Sequence, residues 1–314
     1  MKQRQLYEWT GRIDADATRM HEAVTVLNET GWNAYEPNGQ TFAFVGFASE
    51  EGVRRNAGRL GAKQAPRAIR QAIASLPYRF NRALYDLGDV VCDDYDLEGA
   101  QAKLGDTIAE ALAKQSTPII FGGGHETAYA HYLGVRKALG PDAVLGVFNI
   151  DAHFDIRNQA KPSSGTMFRQ MIESDDNVRY FVAGIQPLGN TTALYEQANE
   201  LGVTYVEAET LDVSFDATLE QIDDWLDGCD AVMMTLCTDV IRQSEAPGVS
   251  APAPFGLSAS RVRSLMRHMA RHPKLTSFDI SEVNPAFDRD GQTARLTAHL
   301  AVETMASIER GDRV

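Results

Sequence analysis

Eight short apolar runs alternate with stretches of helical periodicity along almost the whole chain, and this alternation restricts the fold more than any other sequence feature. The runs are Phe42–Phe47, Leu84–Val91, Pro118–Phe121, Val144–Ile150, Arg179–Val182, Val203–Val206, Ala231–Leu236 and Leu275–Asp279. Several are apolar throughout, the pattern of strands covered on both faces. Between them, Leu97–Ala113, Thr127–Ala138, Thr191–Leu201, Thr218–Leu226, Ser258–Arg271 and Thr293–Ile308 carry apolar residues at helical spacing, with Ser258 placed as an N-cap. Strand, helix and strand repeated in this order predict an α/β domain over 1–314 with a central parallel sheet of about eight strands. No repeat or linker interrupts the pattern, and residues 1–40 are less regular and are expected to wrap the core.

Composition excludes several function classes. The 314 residues carry 30 basic and 43 acidic side chains, a net charge of −13, which argues against a nucleic-acid backbone as partner. The longest apolar runs fall far short of the roughly 20 residues that span a bilayer. The opening residues show no apolar segment of a secretory signal. Three cysteines, Cys92, Cys229 and Cys237, make no disulfide framework, so the expected compartment is the cytoplasm.

Polar residues interrupt the pattern where strands end, which is where open parallel sheets bind ligands. After Pro118–Phe121 comes Gly122-Gly123-Gly124-His125-Glu126, a glycine turn presenting an imidazole. It lacks the Lys-Ser/Thr ending of a phosphate loop, and alone it is equally read as a capping or core histidine. After Val144–Ile150 comes Asp151-Ala152-His153-Phe154-Asp155. On an extended backbone its polar positions share one side, with Ala152 and Phe154 on the other. Carboxylates left uncompensated at a buried strand end are costly, and a bound cation compensates them.

A third strand end holds Thr235-Leu236-Cys237-Thr238-Asp239, followed by the rigid segment Ala246–Pro252. A lone cysteine is ordinarily a small buried apolar residue; beside two other ligand-like strand ends, the ligand reading weighs about as much. The last run leads into Asp279-Ile280-Ser281-Glu282-Val283-Asn284-Pro285, whose Glu282 is either a surface carboxylate or a wall of the same crevice. Together His125, Asp151, His153, Asp155, Cys237 and Asp239 form an oxygen-rich donor set with imidazole, suited to Mn²⁺ or a similar divalent ion.

These four segments, GGGHE, DAHFD, TLCTD and DISEVNP, resemble in order and spacing the motifs of the ureohydrolase (arginase/agmatinase) superfamily, from about Gly46 to the C-terminus. Within it, EGVRRNAGRLGAKQAPRAIR, DAHFDIR, SSGTMFR, GIQPLGNT and APGVSAPAPFG are most similar to the formimidoylglutamase family. That resemblance implies a three-layer α/β/α arginase-like fold and two Mn²⁺ ions per subunit. It implies hydrolysis of N-formimidoyl-L-glutamate to L-glutamate and formamide, in histidine degradation, by a metal-bridged hydroxide. By the same resemblance His125, Asp151 and Asp155 hold one metal and His153 the other. Asp151, Cys237 and Asp239 bridge or complete the pair. Asp155 becomes the candidate proton shuttle and Glu282 the residue that holds the formimino group. Ser164 and Asn190 fall in substrate-binding segments, and a homo-oligomer is expected.

Two positions depart from the superfamily pattern. Cys237 stands where an aspartate is usual, and thiolate favours zinc or iron over manganese, so the second ion's identity and occupancy stay open. Phe168 stands where arginases carry a histidine, which counts against arginase itself. Arginases also place an asparagine where this chain has Arg157, and an arginine fork reads carboxylates. Formimidoylglutamate has two carboxylates, arginine one and agmatine none, so a cationic pocket favours the first. The competing reading of Arg157 is a surface salt bridge. Arg54, Arg55 and Arg169 are weaker candidates for the second carboxylate. Alternative functions are hydrolysis of agmatine or another guanidino acid, and a metal-poor non-catalytic paralogue.

Overall fold

In the computed structural model, which describes residues 4–15, 18–36 and 39–311, nine strands pair in parallel throughout one sheet. They are β1 (Thr25–Val26), β2 (Thr41–Ala48), β3 (Leu84–Val91), β4 (Ser116–Phe121), β5 (Leu145–Ile150), β6 (Val178–Ile185), β7 (Thr204–Glu207), β8 (Ala231–Cys237) and β9 (Leu275–Ser281). Their order across the sheet is β1-β3-β2-β4-β9-β8-β5-β6-β7. Eight correspond to the apolar runs. The ninth, β1, is two exposed residues at the sheet edge, too short to leave a periodic signal.

The flat strands are flat because both faces are covered. Every residue of β2, β5 and β8 is buried. Phe42 and Phe44 point into one apolar cluster while Ala43 and Val45 point into the other, as the period-2 geometry of a strand requires. Helices Ala65–Ala74, Ala259–Ala270 and Gln292–Gly311 supply the first cluster, and Leu97–Ala113 and Thr127–Leu139 the second. Ser258 caps its helix as expected, accepting the Arg261 N–H at 3.1 Å. The structure adds helices Ala65–Ala74 and Met167–Ser174 to those read from periodicity, and Pro66, in the first turn of the former, suits a helix start. Among the described residues no helix is long and apolar enough to cross a membrane.

Four strands in the middle of the sheet, β4, β9, β8 and β5, are consecutive neighbours. Their registers align Phe121 with Ile280, Cys237 with Ser281 and Ile150 with Leu236, so their C-terminal ends finish level. The four polar segments read from the sequence leave the sheet at these adjacent ends.

Candidate metal centre

The turn after β4 is locked to its neighbours. Gly122 N–H donates to Ile280 O at 2.8 Å and Gly124 N–H to Ser49 O at 3.0 Å. A Cβ at Gly123 would lie 1.8 Å from Ser49 O, so only glycine fits there. The turn delivers His125 into the interior with 1% exposure.

The segment after β5 converges by a different geometry from the one expected. The strand stops at Ile150, and the backbone turns instead of continuing extended. His153 N–H donates to Asp151 Oδ1 at 2.9 Å, Phe154 N–H donates to Asn190 Oδ1 at 3.1 Å, and Asp155 adopts φ +50°. Side-chain hydrogen bonds, rather than strand alternation, aim Asp151, His153 and Asp155. Cys237 is the last residue of β8, and Asp239 sits in the single turn Thr238–Val240. Glu282 follows β9 with φ +67°. Two non-glycine residues of one site held at positive φ is the kind of local strain that functional sites retain.

The side chains meet. His125 Nδ1 lies 3.1 Å from Asp151 Oδ2 and 3.1 Å from Asp155 Oδ2. His153 Nδ1 lies 3.5 Å from Asp151 Oδ1 and 3.4 Å from Asp239 Oδ2. Cys237 Sγ is 2.9 Å from Asp239 Oδ1. One atom each from His125, Asp151 and Cys237, and one each from Asp151, His153 and Asp239, form two sets whose members lie within 4.8 Å of one another. The sets share Asp151, which is fully buried.

This donor set suits a pair of divalent cations. Asp151, Asp155, Asp239 and Glu282 crowd into one buried region, and no lysine or arginine pairs with any of them among the described residues. Burial opposes protonation of His125, yet Asp151 and Asp155 outweigh it and hold its pKa well above the ordinary value. Burial likewise opposes a charged His153, and Asp239 and Asp151 raise it well above its usual range. Burial raises Asp155, as does the neighbouring Asp151 charge. Burial, then Asp239 and Glu126, push Glu282 up to about 8. Burial and Asp151 hold the Cys237 thiol well above its ordinary value. A cation bound among these groups would relieve the same crowding of buried negative charge that raises them.

A cavity of about 120 Å³ opens on this cluster, lined by His125, His153, Asp155, Cys237, Asp239 and Glu282. Arg157, Ser164 and Asn190 also line it. Arg157 is exposed, and its guanidinium has no acidic partner among the described residues, so the salt-bridge reading of that residue does not hold in this structure. Ser164 accepts from Asn56 Nδ2 at 3.3 Å. Asn190 engages its whole amide with backbone, donating to Ala152 O and Gln186 O at 2.9 Å each. Arg54 and Arg55 are bound to Glu51, with Arg55 also reaching Glu98, and Arg169 pairs with Glu173; none of the three lines the cavity. Phe168 packs edge-on against His125 and stacks on Tyr180.

Sequence reasoning missed Asn56 at the cavity wall and the buried residues behind His125, namely Thr235, Asp279 and His131. Asn56 closes a five-residue helix, too short for a periodic signal. His131 lies on an ordinary helical stretch, and only tertiary packing reveals its partners.

Sequence and fold match known proteins. The Arginase family model covers residues 40–307, and the chain belongs to that family. It is a hydrolase acting on C–N bonds. Within the family its relatives include the formimidoylglutamase of Geobacillus thermodenitrificans, 47% identical over 96% of both chains. That of Chromobacterium violaceum is 39% identical over 93% of this chain and 95% of the relative. The crystal structure of formimidoylglutamase from Bacillus subtilis superposes with a TM-score of 0.85 at 24% identity, covering 96% of this chain and 94% of that one. A Trypanosoma cruzi formiminoglutamase structure with Mn²⁺ gives a TM-score of 0.81 at 23% identity, covering 94% of this chain and 99% of the other. Both structural likenesses speak to the fold.

Proposed function

We propose that the protein hydrolyses N-formimidoyl-L-glutamate to L-glutamate and formamide, a step of histidine degradation in the cytoplasm. The observation that carries the substrate choice is Arg157, a cavity-lining cation with no acidic partner among the described residues, beside a cluster of buried carboxylates. The identity of close relatives named formimidoylglutamase supports the same reading. Arg157 takes one substrate carboxylate in its fork, and Ser164 and Asn56 offer hydroxyl and amide contacts on the same wall.

His125, Asp151, Asp155 and Cys237 would hold one metal ion, and His153, Asp151 and Asp239 the other, with Mn²⁺ favoured by the oxygen-rich set. When bound, such ions supply Lewis acidity and lower the pKa of a water molecule. Glu282 lines the cavity, its Oε1 fixed by the His125 N–H at 2.9 Å. Arrival of a cationic formimino group favours its ionised form and turns it into a charge-assisted acceptor. Water adds to the formimino carbon, and the bond from that carbon to the glutamate nitrogen breaks. Asp155, whose carboxyl burial and the neighbouring Asp151 charge push upward, takes a proton from the attacking water and passes it to the departing nitrogen.

Asn190 is a positioning residue in this scheme: its amide braces the turn that carries His153 and Asp155. The test is incubation of Mn²⁺-loaded protein with formimidoylglutamate and, separately, agmatine. Equimolar glutamate and formamide support the proposal. Urea from agmatine, with formimidoylglutamate inert, refutes it.

A further inference from the structure

A chain of fully buried polar groups runs from the back of His125 away from the cavity. His125 Nε2 lies 3.0 Å from Thr235 Oγ1 on β8. Thr235 Oγ1–H donates at 2.9 Å to Asp279 Oδ1 on the neighbouring strand β9. Ser281 Oγ–H donates to the same oxygen at 3.1 Å. Asp279 Oδ2 meets His131 Nδ1 at 2.8 Å, and His131 Nε2 is held by Ser277 Oγ at 2.6 Å. His131 is the fifth residue of the helix Thr127–Leu139, which follows the glycine turn that supplies His125. Thr235, Asp279, His131, Ser277 and Ser281 are each 0% exposed.

The chain has a direction. An ionised carboxylate only accepts, so His131 carries its proton on Nδ1 and Thr235 gives its single hydroxyl proton to Asp279. Thr235 Oγ1 is then left with an acceptor role toward His125, whose Nε2 must carry a proton. The remaining nitrogen, Nδ1, faces Asp151 and Asp155 at 3.1 Å each. A neutral imidazole locked in this tautomer presents its lone pair to the place where the carboxylates converge. Register explains why the arrangement is stable: Thr235 and Asp279 are directly paired across β8 and β9. A fully buried carboxylate on β9 that merely filled space would be costly; three donors satisfy this one.

We propose that His131, Asp279 and Thr235 are positioning residues that set the tautomer and ring orientation of His125 for metal binding. The proposal rests on the metal-centre reading above and adds three residues which that reading does not use. Removal of such outer partners typically weakens metal affinity about 10- to 100-fold.

The experiment compares Mn²⁺ binding by calorimetry in full-length wild type, Thr235→Val and Thr235→Ser. Valine keeps the shape and deletes the hydroxyl; serine restores it. Weakening of one of the two sites by tenfold or more in Thr235→Val, with recovery in Thr235→Ser, supports the proposal. Unchanged affinity in Thr235→Val, or an equal loss in Thr235→Ser, overturns it while leaving the metal centre intact. Absence of binding to wild type overturns the metal centre and this proposal together. Nitrogen-15 spectra of the ¹⁵N-histidine-labelled, Zn²⁺-loaded protein give a second readout that is insensitive to general loss of stability. A proton on Nε2 of His125 is expected, and a proton on Nδ1 refutes the assignment.

Discussion

Replacing Arg157 with methionine preserves much of the side-chain volume and removes the cation that faces the cavity. A hydrogen bond to a charged group contributes about 1.5–3 kcal/mol. Arg157 is exposed, so solvent screening reduces this, and about 1–1.5 kcal/mol remains. Since about 1.4 kcal/mol is a factor of ten, the expected consequence is a roughly tenfold rise in KM for formimidoylglutamate. The fold should be untouched, because the backbone N–H of Arg157, bonded to Gly165 O at 2.8 Å, is unaffected by the substitution. Steady-state glutamate release at low and high ionic strength measures both parts. Wild-type KM should rise with salt as screening weakens the carboxylate contact, and the variant should lose that sensitivity. A variant with wild-type KM and undiminished salt dependence would show that Arg157 does not read the substrate.

Three further outcomes follow from the site. Asp151→Asn should abolish binding of both metal ions, because Asp151 belongs to both donor sets; retention of one full equivalent by elemental analysis would refute the sharing. Asn190→Ala removes bonds to Phe154 N, Ala152 O and Gln186 O; the two carbonyls keep the Gln186 and Gly189 N–H groups, but the buried Phe154 N–H is left unpaired, which should cost about 1–3 kcal/mol of stability, and an unchanged denaturation midpoint would contradict the bracing role. Without metal, the raised histidines contribute stability below their unfolded value of 6.5 that is lost as pH rises through their folded values. Glu282, raised from 4.5 to about 8, acts in the same direction, since its neutral form is favoured in the fold. The metal-free protein should therefore melt at lower temperature as pH rises from 6.5 to 8, and Mn²⁺ binding should release protons. Proton uptake on binding, seen by calorimetry in buffers of different ionisation enthalpy, would contradict this.

Much of the sheet was legible because its strands are covered on both faces, which forces them to be continuous apolar runs. Their ends were legible for the same reason, since a carboxylate such as Asp151 interrupts an otherwise apolar pattern. What escaped was set by contacts distant in sequence. The two-residue β1 depends on pairing with β3, and the turn at Asp151–Asp155 depends on Asn190, 35 positions beyond Asp155. His131 sits on a helix whose pattern gives no hint that Asp279, 148 residues away, is its partner. The same limit applies to Arg55, which looked available to a substrate and is instead held by Glu51 and Glu98.

Side chains from four adjacent strand ends converge on Asp151, the shared ligand of the proposed pair of metal ions. Diffraction from crystals soaked in Mn²⁺, recorded on both sides of the manganese absorption edge, tests that pairing directly. Two anomalous peaks flanking the Asp151 carboxylate, one beside His125 and one beside His153, are predicted. A map without peaks there, from crystals whose protein has been fully exposed to the metal, would refute the paired centre and favour a non-catalytic relative.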